Sequence, residues 1–565
     1  MEHSLLHALQ LIGVLLALAA PILALVVLLP ARDRAALTSA AGRLSDDLLQ
    51  SCARCAALGA LVAALACFLN LVVQVAEFEG VTVLAGADAA LVWRFATATT
   101  VGRLAVARGL LLLVASAVLW STRRSPRRAR TRAAWLLPLL LSATAILAAA
   151  SVSHAAAQPV DRVAAISFHF LHLAAAATWV GILGNLFAAR RLLLAADDPE
   201  QVRFVAAIVG RFSPLALLAA GTLLATGFAG AWFYLGTPAA LLTSSYGLTL
   251  LTKLILLAIL LAGGFVNYRI VRPALLRLAD APEALAPRVT GAGPTRPLLA
   301  RLARTIELEV TVGLLVVATA GILGSVSPPT RAGEGRLNPA QIASMTTPRA
   351  PRTAIVDPAT WVGSASRTDD DLRYSEFMHA WSGVLVCLLG LAWLVQSVGG
   401  NGAPARVAAW LWPALLIPFA IFVAIASDPE VWPMGTESPW LALTDPIVLE
   451  HRIGALMIVV LAGLGWREAR RGGSERPLGR ALPIVMIAGS LLLLGHAHSS
   501  FSASDDLTTL INVQHAILGG LGVLAGVVRW LELRDLVPRR IARVVWPTLV
   551  LAIGLFMALS YRELV

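Results

Sequence analysis

Unbroken apolar runs, each long enough to cross a lipid bilayer, follow one another along this entire chain. They lie near residues 5–29, 55–76, 104–121, 133–154, 165–189, 205–234, 247–268 and 306–326, then 377–397, 406–426, 449–466, 481–498, 512–530 and 544–561. A spanning helix needs about 20 apolar residues. Only helices or closed barrels satisfy every backbone group in hydrocarbon, and barrel strands would read as short alternating segments rather than long runs. The expected fold is therefore an all-α, polytopic membrane bundle of about fourteen helices.

Charge sets the expected topology. The formal net charge of +12 comes almost wholly from arginine, Lys253 being the single lysine. In a soluble chain such a balance would suggest nucleic acid. Here the arginines crowd short loops at 30–54, 121–132, 190–203, 269–304, 467–480 and 529–543, while the loops 77–93, 236–246, 427–448 and 499–511 contain none, which is the pattern of the positive-inside rule. No nucleic-acid partner is expected. The rule puts both termini outside, in the periplasm if the source is a bacterium. The first run, Leu5 to Leu29, has basic residues only after it (Arg32, Arg34, Arg43) and reads as an uncleaved helix. The long segment 327–376, rich in Pro, Thr, Ser and Asp, reads as a periplasmic linker between an N-terminal bundle (1–326) of about eight helices and a C-terminal bundle (377–565) of about six.

On this topology all ten histidines fall at or near outer helix ends. His154 closes one apolar run and His169 and His172 open the next, three apart on one helix face. His496 and His498 end a later run and His515 opens its successor, repeating the layout. Met378 with His379, and Glu450 with His451, stand at two further helix starts, and Met434 lies in a nearby outer loop. His3 and His7 belong to the first helix. Neutral imidazole binds borderline transition metals, and copper also accepts thioether and thiolate sulfur, so these residues read as a copper-ligating set for Cu(I) or Cu(II). For any single histidine the plainer reading is an interfacial polar side chain bonded to nearby backbone; the clusters favour function.

Other features are weaker. Cys52 and Cys55 form a CxxC at the inner end of the second helix, where thiolates would receive a soft metal on exit; two small residues in an Ala-rich helix is the plainer account. Cys67 and Cys387 read as buried small hydrophobes. Lys253 is expected to snorkel outwards or to pair with Glu77 or Glu79. Gly522 and Gly526 form a GxxxG suited to close helix packing. No phosphate loop, aspartyl-phosphate motif or Ser–His–Asp set is visible, so no enzyme is expected and any transport runs without an ATP motor.

The run FSPLALLAAGTLLATGFAGAW from Phe212, followed by Tyr246, Gly247, Lys253, Asn267 and Arg269, resembles the copper resistance protein D family. The corner carrying His154, His172, Trp179 and Gly181 is similar to the same family's preceding segment, and SDPEVWP, EHRIG, GHAHS and QHAILG are similar to the extension of its longer members. The resemblance implies an inner-membrane protein that moves copper from periplasm to cytoplasm, often beside a soluble periplasmic copper-binding protein. A cytoplasmic copper chaperone is the expected recipient, since the arginine-rich inner loops are a poor cation sink. Two other readings stay open: a b-type haem protein with bis-histidine ligation, for example His172 with His154 or His515 with His451, and a copper-binding scaffold or sensor that does not transport.

Overall fold

The computed structural model describes residues 2–34, 39–154, 156, 161–196, 198–280, 295–329, 335–351, 369–400, 402–440, 446–495 and 506–564. Thirteen of its helices are long and apolar enough to cross a membrane, and the apolar helix Ala481–Gly495 is shorter. In chain order these are α1 (His3–Asp33), α2 (Ala40–Glu79), α3 (Thr100–Arg123), α4 (Ala133–Ala150), α5 (Arg162–Ala188), α6 (Pro199–Leu235), α7 (Ser245–Asp280) and α8 (Arg296–Leu323). Then follow α9 (Asp369–Val398), α10 (Ala403–Ala426), α11 (Val448–Arg470), α12 (Ala481–Gly495), α13 (Asp506–Leu533) and α14 (Arg539–Leu559). The protein is a polytopic helical membrane bundle.

Several helices outrun their apolar windows at the arginine-rich ends. The expected loop 30–54 is largely helix, because α2 begins near Ala40. Hydropathy marks only the hydrocarbon portion; beyond it the helix continues where polar partners hold it. Asp46, on the added turns of α2, accepts from Arg32 at 2.8 Å and from Arg130 Nε at 2.8 Å.

The chain forms two compact units, one of residues 1–237 with 253–327, the other of 238–252 with 328–565. In the first, α1 is the central helix. Leu11, Val14, Leu15 and Leu18 meet Ala60, Ala63, Ala64 and Cys67 of α2, Ile146 of α4, Leu173 of α5 and Val317 of α8 in one buried cluster. Backbone contact between α1 and α2 requires glycine: a Cβ on Gly13 would stand 2.3 Å from the Gly59 carbonyl oxygen. Without a hydrophobic drive between helices in lipid, such small-residue contacts supply the packing attraction.

In the second unit Trp393 of α9, Trp412 of α10 and Trp546 of α14 interlock, with ring centroids 5.2 and 5.4 Å from Trp393. Gly383 and Gly390 of α9 lie on Ala558 and Leu551 of α14 with no room for a side chain. Gly522 and Gly526 of α13 do the same against Ser490 and Ile487 of α12, so the GxxxG is a packing face. Within the expected linker 327–376, the helix Pro339–Thr346 is capped by Asn338 and docked on this unit, Gln341 donating to the Asp506 carbonyl at 2.8 Å.

Candidate functional site

Within each unit the described histidines lie toward one end of its helices. In the first unit His3 and His7 occupy the opening turns of α1 with rings parallel, centroids 6.3 Å apart. His154 stands just past α4, edge-on to Tyr234 at 6.4 Å. His169 and His172 lie on the first turns of α5. His154 and His169 are within electrostatic reach of His7, and His169 of His172. A Cβ on Gly324 would touch His7 Nε2 at 2.9 Å, so the end of α8 closes over that ring.

At this end the His3 imidazole pairs with the Asn70 side chain, and His154 Nε2 and Gln74 Oε1 are buried without a protein hydrogen-bond partner. His154 lies outside the spans; burial holds its imidazole below the usual histidine range, opposed by a bond to Gly324 backbone, so at neutral pH it presents a neutral ring.

The tautomer of His172 follows from its partner. Thr226 Oγ1 donates its single proton to the Thr222 carbonyl at 2.6 Å, so across the 2.9 Å contact His172 Nδ1 is the donor. The lone pair then sits on Nε2. His379 and His515 are arranged alike, their Nδ1 atoms 2.9 Å from the Ser375 carbonyl and 3.0 Å from the Ile511 carbonyl. His451 Nδ1 is 2.7 Å from Asp428 Oδ1, a carboxylate that also meets Arg452 at 3.2 Å. Fixing one ring nitrogen with an acceptor is how proteins orient a histidine for ligation through the other.

In the second unit His379 stacks on Tyr561 at 3.8 Å and meets His515 edge-on at 5.7 Å. Met378 and Met434 do come together, but in an apolar nest with Tyr374, Phe377, Phe422 and Ala426, the Tyr374 hydroxyl lying 3.8 Å from Met434 Sδ. His496 and His498 lie outside the described residues. Cys52 is fully buried in α2 and Cys55 partly so. Among the described residues no three His, Cys, Asp or Glu side chains converge closely enough to cage a metal.

One expectation is corrected. Lys253 does not pair with Glu77 or Glu79: Glu79 binds Arg94, no described carboxylate lies within ion-pair distance of Lys253, and the ammonium instead acts on His169 and His172. A second cation, Arg108 of α3, flanks the set through Gln10 Oε1 at 2.9 Å and Cys67 Sγ at 3.2 Å. Sequence reasoning missed Arg108, Thr226 and Asp428. It also missed Glu309, a carboxylate inside an apolar run, which the rarity of such residues in membranes should have flagged.

Residues 206–323 match the family model described as Copper resistance protein D. A stretch of 227 residues is 30% identical to the copper transport protein CutJ of Bacillus subtilis (strain 168), covering 40% of this chain and 36% of that protein. No solved structure matches the chain. The matched segment supplies Thr226 and Gly227, which lie against the His172 ring.

Proposed function

From the premise that residues 206–323 are a copper resistance protein D segment, we propose that this chain carries copper ions across a bacterial inner membrane, from the histidine-bearing end to the arginine-rich end. Similarity to a copper transport protein points to a transporter rather than an enzyme. The observation that carries the reading is the gathering of His3, His7, His154, His169 and His172 at one end of the first unit, with Thr226 and Gly227 of the family-matched segment against the His172 ring.

Copper is the cargo here, and the arrangement suits cargo. A carrier must bind an ion well enough to admit it and weakly enough to release it. A closed cage of three or four ligands would trap the metal; among the described residues no three ligating side chains converge, and imidazoles spaced along one end hand an ion on. His154 and the pair His169 and His172 make the receiving group, with His3 and His7 across from them on α1. In the second unit His379, His515 and His451 form the comparable group, and the Met378–Met434 nest stands ready as soft donors. A periplasmic copper-binding protein would load the histidine end and a cytoplasmic chaperone would unload the other.

The test is the combined substitution of His154, His169 and His172 by alanine in protein purified after growth on copper. Copper content and uptake into proteoliposomes should both fall well below the wild-type level. Wild-type values in the triple variant would overturn the assignment, and a Soret band with bound iron would replace it by the haem reading.

A further inference from the structure

Glu309 lies near the middle of α8, 2% exposed, and the histidine ends do not account for it. Its two oxygens are addressed from two different helices. Asn267 Nδ2 of α7 donates to Oε1, and Trp179 Nε1 of α5 donates to Oε2 at 3.4 Å. The Thr305 hydroxyl, 2.6 Å from Asn267 Oδ1, turns the amide so that its NH2 faces the carboxylate. Both donors sit in π-helical turns, Ala177–Gly181 and Asn267–Val271, interruptions of otherwise regular helices that recur at functional sites. Gly264 keeps α7 backbone close: a Cβ there would stand 3.7 Å from Glu309 Oε2 and 3.4 Å from the Trp179 ring.

Among the described residues no cation pairs with this carboxylate. The elements packed on it carry Arg190, Arg191, Arg269 and Arg272, and its own helix carries Arg301, Arg304 and Glu307; His3, His7, His169 and His172 sit on the far turns of α1 and α5. None of these, nor Lys253 of α7, forms an ion pair with Glu309, which accepts hydrogen bonds from Asn267 and Trp179. A bare carboxylate in a membrane interior costs several kcal/mol, whereas two aimed donors favour the anion. Such a group has two accessible states: protonated, or ionised with a cation beside it. Trp179 is seven residues beyond His172 on α5, roughly 10 Å along the helix. The site is therefore next in line from the histidine end.

We propose that Glu309 is a proton–cation exchange site, resting on the copper-transport reading above. When a Cu(I) ion arrives from the histidines, the carboxyl O–H bond breaks, the proton leaves to water at the histidine end, and the carboxylate with the ion keeps the site neutral. When the ion departs toward the arginine-rich end, the carboxylate takes a proton from that side. One copper moves in and one proton moves out, with no change of oxidation state.

The experiment uses the full chain, wild type, Glu309→Gln and Glu309→Asp, in proteoliposomes holding a pH-sensitive dye, with Cu(I) supplied outside and the membrane potential clamped. Wild type should alkalinise the lumen in proportion to copper taken up; E309Q should lose at least about tenfold of that proton movement, and E309D should regain part of it. Infrared difference spectra of the same proteins without flux give a second reading: a protonated-carboxyl stretch present in wild type, absent in E309Q, and bleached by Cu(I). Copper uptake by E309Q with wild-type alkalinisation, or a wild type lacking the Cu(I)-sensitive carboxyl band, overturns the proposal. A wild type that shows the bleached band but no copper flux overturns the transport reading and leaves the exchange site standing.

Discussion

A threonine shows how much of this chemistry lies one shell away from the histidines. Thr226 has its proton committed to Thr222, so it can only accept from His172, and that fixes which imidazole nitrogen faces an incoming ion. Thr226→Val keeps the shape and removes the acceptor. Loss of an outer partner of this kind costs about 10–100-fold in metal affinity, and a Cu(I) chelator competition on the purified variant should show a fall in that range with the fold unchanged. The histidines themselves were legible from sequence, since polar residues are rare in apolar runs and their one-sidedness is visible at a glance. Their partners were not: Thr226 is one of many threonines satisfied by its own helix, and only the crossing of α5 on α6 gives it a second role. Asp428 and Arg452 are hidden for the same reason, because a carboxylate, a guanidinium and His451 meet only once a loop folds over a helix start.

At the level of the helix, the apolar windows were readable to within a few residues over the hydrocarbon, and the ends were not. Residues such as Asp46 look like loop because their hydropathy is low, yet they continue α2 by pairing with Arg32 and Arg130. Which helices touch is likewise absent from hydropathy, since every face facing lipid or protein is apolar. Glycine supplies the missing information where backbones meet. A Cβ on Gly383 of α9 would lie 2.4 Å from the Ala558 nitrogen of α14, closer than any side-chain shift relieves. Gly383→Val should therefore cost about 1–3 kcal/mol through overpacking and lower the thermal denaturation midpoint. Gly42→Ala is the matched control, because nothing lies within 4 Å of its Cβ position. A midpoint in G383V equal to that of G42A would show that α9 and α14 do not cross at these glycines.

Taken whole, the molecule is two compact units, each with its own histidine-bearing end. If each unit receives copper by itself, the His154/His169/His172 triple should remove one share of the bound metal and a His379/His515 double the other, with additive losses in metal analysis. Complete loss from either variant alone would mean a single shared site. The repeat of the histidine corner was visible in the sequence; the Tyr561 ring over His379, contributed from far along the chain, was not. Lys253 carries a last consequence. It is the only lysine among 565 residues, and its ammonium is within electrostatic reach of His169 and His172. Nature has thus installed one side-chain amine at the mouth of the proposed path. An acylating reagent offered to the unaltered protein reads solvent access at that spot, and protection by bound metal reports occupancy with no engineered label.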